Sequence, residues 1–130
     1  VNLKLTLDGQ EIRRAYSICS SPNENELRIA VKAVKHGDFS NFANQQLKAG
    51  SVIEVSAPEG RFVVNAEKPA HNIAAFAAGS GITPVMSILK SVLASDPNST
   101  FLLVYGNKSP QQTIFYQQLH DLQQQYVGRL

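Results

Sequence analysis

NIAAFAAGSGITPVMSILKSVLASDPNSTFLLVYG, residues 72–106, is the stretch that decides the fold class. Its first seven residues are an almost unbroken apolar run, the habit of a strand buried on both faces of a parallel sheet. Gly79-Ser80-Gly81 ends that run. Thr83 stands where a helix N-cap belongs and Pro84 at the first helical position. Val85, Ile88, Leu89, Val92 and Leu93 then recur at helical spacing up to Asp96-Pro97. TFLLVY at 100–105 reads as a second buried strand, broken by Gly106. Phe115, Leu119, Leu122 and Tyr126 mark one face of a closing helix whose other side is rich in Gln. Strand, helix, strand, helix is half of a doubly wound α/β domain.

Working back from residue 72, NAEKPAH at 65–71 is polar, contains Pro69 and reads as a linker. The boundary is placed there, giving regions 1–66 and 67–130. The first region reads as antiparallel β structure with one helical interruption. Leu3, Leu5 and Leu7 alternate with polar neighbours, Asp8-Gly9 is a hairpin turn signal, and residues 10–19 return as the partner strand. Leu27, Ile29, Val31 and Ala33 alternate again. Gly37 then breaks the pattern ahead of a short helix that Ser40 can cap. Residues 52–57 and 62–64 are two more expected strands around Pro58-Glu59-Gly60. The sum is a partial antiparallel β barrel followed by a partial α/β domain.

Composition closes off other classes. With 43% hydrophobic and 17% charged residues among 130, the chain can bury a core, which excludes collagen, coiled coil and general disorder. No apolar run approaches the ~18 residues of a membrane span. Twelve Lys and Arg against ten Asp and Glu leave a charge of +2, too small and scattered to argue for nucleic acid. The single cysteine, Cys19, excludes an internal disulfide and an iron-sulfur site within this stretch, and suits a reducing cytoplasm. No basic-then-apolar signal opens the chain.

Three features bear on chemistry. The Gly79-Ser80-Gly81 turn follows a buried strand and opens a helix, where backbone N–H groups and the helix dipole can receive a phosphate; equally, glycines there can merely permit a tight turn. A dinucleotide fingerprint would need glycine at Pro84 and an acid near Gly106-Asn107, and a nucleophile elbow around Ser80 would need glycines at Ala78 and Ile82. Neither pattern is met. The second feature is Arg14-Ala15-Tyr16-Ser17, which sets a cation, a ring and a hydroxyl within four residues. It can hold an anionic aromatic ligand, or be a strand with a solvated Arg and a half-buried Tyr. Third, His36, His71 and His120 are scattered without carboxylates at ligand spacing, so no metal site is expected. Cys19 reads as a small buried side chain.

Taken in order, RRAYSICSSP, VKHGDFSNF, APEGRF, AAGSGITPVMSIL and LLVYGNKSPQQTIFY resemble the ferredoxin-NADP reductase superfamily along nearly the whole chain. Within it, YSICS and IAAFAAGSGITPVMSIL look most like the oxygenase reductases of the phenylacetate-CoA system. The resemblance implies a flavin-binding barrel followed by a pyridine-nucleotide domain, with FAD and NAD(P)H as cofactors. It carries the R-x-Y-S motif onto Arg14, Tyr16 and Ser17: the arginine for a flavin phosphate, the tyrosine packed on the isoalloxazine, the serine hydroxyl near flavin N5. The second flavin segment falls on Gly37, Asp38, Phe39 and Ser40, whose N–H groups would receive the pyrophosphate; His36 stands where the family has its first glycine. The G-x-G-I-T-P motif falls on Gly79, Gly81, Ile82, Thr83 and Pro84, with Thr83 beside the nicotinamide and flavin rings. Tyr105, Gly106 and Asn107 match a segment near the nucleotide's ribose and adenine. Ser17 and Thr83 are thereby the expected catalytic residues.

The same resemblance implies further barrel strands before Val1, further nucleotide-domain strands after Leu130, and commonly a ferredoxin domain holding a 2Fe-2S cluster. The chain therefore looks like the middle of a longer cytoplasmic reductase that passes electrons to a ferredoxin domain or an oxygenase component. The alternative from another class is a non-catalytic flavin-fold binding or regulatory module.

Overall fold

The computed structural model describes residues 1–64 and 71–130; the boundary expected between residues 66 and 67 lies outside them. Strands β1 (Asn2–Leu7) and β2 (Gln10–Ala15) form an antiparallel hairpin with Leu3 opposite Arg14 and Leu5 opposite Ile12. Asp8 and Gly9 both take positive φ, 48° and 78°, the mirror-image turn whose twist matches the paired strands. A two-residue strand, β3 (Glu54–Val55), adds to the other edge of β1, giving the order β2-β1-β3. Lys4 bridges all three strands, 3.3 Å from Glu11 and 2.8 Å from Glu54.

Several expected β segments do not form. Residues 27–33 make only an isolated bridge, Ile18 to Ile29, with the Cys19 N–H donating to the Arg28 carbonyl at 2.9 Å. Their backbone is claimed elsewhere. The Asn44 side chain donates to the Val31 carbonyl at 3.1 Å, Asn41 donates to the Val34 carbonyl at 3.2 Å, and the Val34 N–H donates to Ser40 Oγ at 3.1 Å. Side chains of helix α1 (Asp38–Gln45) thus satisfy groups that a neighbouring strand would otherwise pair. The segment at 52–57 contracts to β3, and 62–64 forms no strand. Helix α1 begins earlier than expected: Gly37 is its N-cap and Ser40 lies in the first turn, its Oγ donating to the Gly37 carbonyl at 3.3 Å.

The elements of the second half form in the expected order, with the start of the first helix moved. Strands β4 (Asn72–Ala78) and β5 (Thr100–Gly106) are parallel, with Ile73 opposite Phe101 and Ala77 opposite Tyr105, and helix α2 (Ile82–Ser95) connects them. Helix α3 (Tyr116–Gln125) follows. The glycine turn at 79–81 is a single 3-10 turn running straight into α2, so Gly81 is the N-cap, and Thr83 and Pro84 stand second and third in the helix. Pro84 fits there because first-turn N–H groups have no partner within the helix. Ile82, Val85, Leu89, Val92 and Leu93 of α2 form the core with Phe101, and Ile73, Ala75, Leu103, Leu119 and Leu122 pack around it. Both helices therefore lie on one face of the sheet. Two strands with helices on one side leave the other face of the sheet uncovered, where Phe76 is 77% exposed and Leu102 62%.

The far end of α2 is tied down by Asp96 and Arg129. Asp96 accepts from the Asn98 N–H at 2.9 Å and Ser99 Oγ at 2.8 Å, and lies 2.7 Å from His71 Nδ1. Arg129 donates to the carbonyls of Leu93, Asp96 and Ser99. The Asn98 N–H, then the Ser99 hydroxyl and His71, hold the Asp96 carboxyl down to about 2 from 3.8. A carboxyl lowered on folding contributes stability above its unfolded value and loses it as pH falls towards the folded one. In urea titrations, wild type should therefore lose stability between pH 4 and pH 2 more steeply than Asp96→Asn; parallel slopes over that window would contradict this role.

Candidate functional site

Three segments distant in sequence meet at a cavity of about 670 Å3 lined by Arg14 to Ser17, Gly37 to Ser40, and Ser80, Gly81, Thr83 and Pro84. Strand β2 delivers the first segment. Because the strand ends at Ala15, alternation stops there, and Tyr16 and Ser17 follow Arg14 onto the same cleft instead of facing opposite sides. Helix α1 delivers the second segment at its N-terminus, and the 3-10 turn leading into α2 delivers the third.

The walls differ chemically. Tyr16 packs on Phe39 with ring centroids 5.5 Å apart and an interplanar angle of 36°; Phe39 is 1% exposed and anchors the wall. Burial raises the Tyr16 hydroxyl above its usual range, so it stays neutral near pH 7. Arg13 pairs with Glu11 at 2.7 Å, whereas among the described residues no carboxylate pairs with Arg14, whose Nη1 donates to the Arg13 carbonyl at 2.8 Å. A guanidinium with unused donors at the mouth of an aromatic cleft suits a phosphate or carboxylate. The first turn of α1 adds backbone N–H groups that no helical carbonyl receives.

His36, just before Gly37, has φ of 61°. A histidine there adopts the left-handed conformation that glycine takes without strain, at a cost of about 1–2 kcal/mol. The loop keeps the shape that a glycine would give it.

The two glycines of the third segment divide the alternatives left open by the sequence. Gly79 has φ of 50°, so the turn itself requires it. Gly81 has φ of −62° and ψ of −11°, an ordinary helical conformation, and a Cβ on it would meet nothing within 4 Å. Neither backbone conformation nor packing against the rest of the chain calls for glycine at 81. The space beside it leaves the backbone open to close approach from the cleft. Thr83, 7% exposed, donates its hydroxyl to the Ser80 carbonyl at 3.1 Å and braces the turn.

Of the expected site residues, Arg14, Tyr16, Ser17, Gly37, Asp38, Phe39, Ser40, Gly81, Thr83 and Pro84 line this cleft. Gly79, Tyr105, Gly106 and Asn107 do not. The Tyr105 hydroxyl donates to the Gly79 carbonyl at 2.8 Å, behind the turn. Gly106 pairs with Ala78 at the carboxyl end of the sheet, where open α/β folds place their ligands. Sequence reasoning missed Lys32, a second cation on the cleft wall. The signal was available: a lysine in an otherwise apolar VKAV stretch, six residues before α1. Ser17 and Pro84 also border a larger cavity of about 1190 Å3. That space is also lined by an arginine and an aromatic ring, Arg61 and Phe62, but not by the first turn of α1 or by Gly81 and Thr83, which meet Arg14 to Ser17 only at the smaller cleft. Among the described residues no cluster of metal ligands occurs, and no helix is long and apolar enough to cross a membrane.

Residues 1–64 match the oxidoreductase FAD-binding domain family, and residues 76–130 match the oxidoreductase NAD-binding domain family. The chain is 42% identical to a component of the 1,2-phenylacetyl-CoA epoxidase of Escherichia coli K12, over 100% of this chain and 37% of that protein. It is 39% identical to the ferredoxin reductase component of 3-ketosteroid-9-alpha-monooxygenase of Mycobacterium tuberculosis, over 92% of this chain and 33% of that protein. Among solved structures, the FAD/NAD binding domain of nitric oxide dioxygenase from Vibrio cholerae superposes with a TM-score of 0.80 at 28% identity, over 96% of this chain and 54% of that one. A variant of ferredoxin-NADP+ reductase from Plasmodium falciparum gives 0.83 at 26% identity, over 98% and 55%. The chain belongs to the FAD- and NAD-binding oxidoreductases of the ferredoxin reductase kind. It spans about a third of the length of the curated relatives it matches.

The Tyr105 hydroxyl ties β5 to the glycine turn through a part-buried bond. Tyr105→Phe should cost about 1 kcal/mol in urea unfolding, the net value of one such bond. An unchanged midpoint would show that the bond contributes nothing to holding the turn.

Proposed function

We propose that this chain is the flavin and nicotinamide junction of a reductase that moves electrons from NAD(P)H through FAD to an iron-sulfur centre or an oxygenase component. The carrying observation is the convergence of Arg14 to Ser17, Gly37 to Ser40 and the Gly81 to Pro84 turn on one cleft, with the FAD-binding family matching on one side of it and the NAD-binding family on the other. When bound, a flavin accepts a hydride from reduced nicotinamide and releases electrons one at a time.

The donor set fits such a group. Arg14 and the first-turn N–H groups of α1 would hold its phosphates, and the Tyr16 ring, fixed on Phe39, would cover the isoalloxazine. The Ser17 hydroxyl would hydrogen-bond at flavin N5. Across the cleft, the bare Gly81 backbone would admit the nicotinamide nucleotide, and Thr83 and Pro84 would form the wall that excludes water from the transferring hydride. Gly106 and Asn107, at the carboxyl end of β5, would meet the nucleotide's ribose and adenine. Lys32 adds positive charge beside Arg14. Cys19 has no part in this: it is 4% exposed and burial raises its thiol above the usual range, as befits an inert side chain in a cytoplasmic reductase. The relatives named as reductase parts of monooxygenases support an oxygenase or a ferredoxin domain as the acceptor.

Two substitutions separate the cofactors. In the full protein, Arg14→Ala should weaken FAD retention by about 1.5–3 kcal/mol, the range for a charge-assisted hydrogen bond, read as lost flavin absorbance near ~450 nm after dialysis. Undiminished absorbance would remove Arg14 from the flavin site. Gly81→Ala should leave thermal stability and FAD content unchanged while weakening NAD(P)H binding by about tenfold, through lost close approach. Unchanged nucleotide affinity, or a fall in stability, would overturn the reading of Gly81.

A further inference from the structure

Among the described residues, three hydrogen bonds join residues 1–64 to residues 71–130, and all three run from α2 to the segment just after Ser17. Ser87 Oγ donates to the Ser20 carbonyl at 2.7 Å. Lys90 Nζ donates to both Glu24 carboxylate oxygens, at 2.9 and 2.8 Å. The pair is largely sheltered, with side chains 17% and 30% exposed, and Ser20 is 2% exposed.

Placement gives these contacts their meaning. Thr83, Ser87 and Lys90 stand at i, i+4 and i+7 on one face of α2, so the contacts continue the stripe that begins at the cleft wall. On the other side, Ser20 is three residues from Ser17. Glu24 is itself fixed: its carboxylate accepts the Ser21 N–H in a capping box around the 3-10 turn at Pro22–Glu24. Lys90 first, then the Ser21 N–H, holds that carboxyl below its ordinary range; Arg28, the other cation nearby, pairs with Glu26. Glu24 is therefore ionised and rigid at neutral pH.

We infer that Ser20-Ser87 and Glu24-Lys90 form a two-point clamp that sets the distance between the Ser17 and Thr83 walls of the cleft, making Lys90 and Glu24 positioning residues for hydride transfer. This rests on the flavin and nicotinamide reading above. A partly buried ion pair contributes little net stability, because its attraction is offset by desolvation; what it supplies is a fixed geometry. Hydride transfer is sensitive to that geometry, since a misplacement of about 1 Å can cost about a hundredfold in rate. The clamp touches neither the Arg14 end of the cleft nor Gly81, so binding of either cofactor does not depend on it.

The test compares Lys90→Met and Lys90→Arg with wild type in the full protein. Lys90→Met should keep FAD content and bind NAD(P)H within about twofold of wild type, yet slow flavin bleaching at saturating NAD(P)H by about tenfold or more. Lys90→Arg, which can still fork onto Glu24, should recover most of the rate. In the apoprotein, amide hydrogen exchange at residues 20–24 should rise in Lys90→Met and not in Lys90→Arg. Wild-type bleaching in Lys90→Met, unchanged exchange at 20–24, or a Lys90→Arg protein as slow as Lys90→Met would each overturn the clamp. Should Lys90→Met fail to fold, Ser87→Ala, which removes a single hydroxyl, must show the same slowing at intact FAD content, and wild-type rates there would overturn the proposal. Wild type purified without flavin would sink the cofactor reading instead, while the exchange comparison on the apoprotein still decides the clamp.

Discussion

Helix α2 is the element on which everything else depends. Its inner face seats Ile82, Leu89 and Leu93 at 2% exposure or less, against a sheet that among the described residues has two strands. At about 1.5–3 kcal/mol for each such side chain, that contact is what gives β4 and β5 a reason to stay parallel. The same helix carries the third wall of the cleft at its N-terminus, and Ser87 and Lys90, on the face that meets the antiparallel half, carry the hydrogen bonds to it. At its C-terminus Arg129 closes the exposed carbonyls. Two adjacent faces of one helix therefore fix the sheet, the cleft and the join between the two regions.

The α/β half is written plainly in the sequence because its information is local. Apolar runs at 72–78 and 100–105, a glycine turn and a 3.6-residue period determine each element without reference to the others. The antiparallel half is harder, because a strand exists only if another strand pairs with it. Asp8-Gly9 resolves β1 and β2, since the turn and both strands are adjacent in sequence. Residues 27–33 alternate just as well, yet Asn41, Asn44 and Ser40 of α1 take backbone groups at 31–34. Nothing in the alternation itself announces that competition. The start of α2 was displaced by two residues for a related reason: the glycine turn coils directly into the helix, leaving Thr83 to brace it from within.

The cleft was legible in part. Arg14, Tyr16 and Ser17 are marked by residue chemistry alone, and the family resemblance brings in Gly37 to Ser40 and the Gly79 to Pro84 turn. Their meeting at one cavity is a property of the fold. Lys32 escaped notice because its flanks read as strand. The value of Gly81 appeared only when its dihedral angles showed that the chain has no conformational need for glycine there. Tyr105, matched to the nucleotide segment by resemblance, joins β5 to the glycine turn through its hydroxyl on the Gly79 carbonyl, a contact with no signal in the sequence.

The central claim is that the cleft between Tyr16 and Thr83, and not the larger neighbouring cavity, seats the flavin ring. A crystal structure of the full protein loaded with FAD tests it most directly. The account predicts the isoalloxazine against Tyr16, its phosphates at Arg14 and the first turn of α1, and the ring edge facing Thr83. A flavin found in the larger cavity beyond Ser17 and Pro84, with Arg14 and Gly37 to Ser40 untouched, would contradict it.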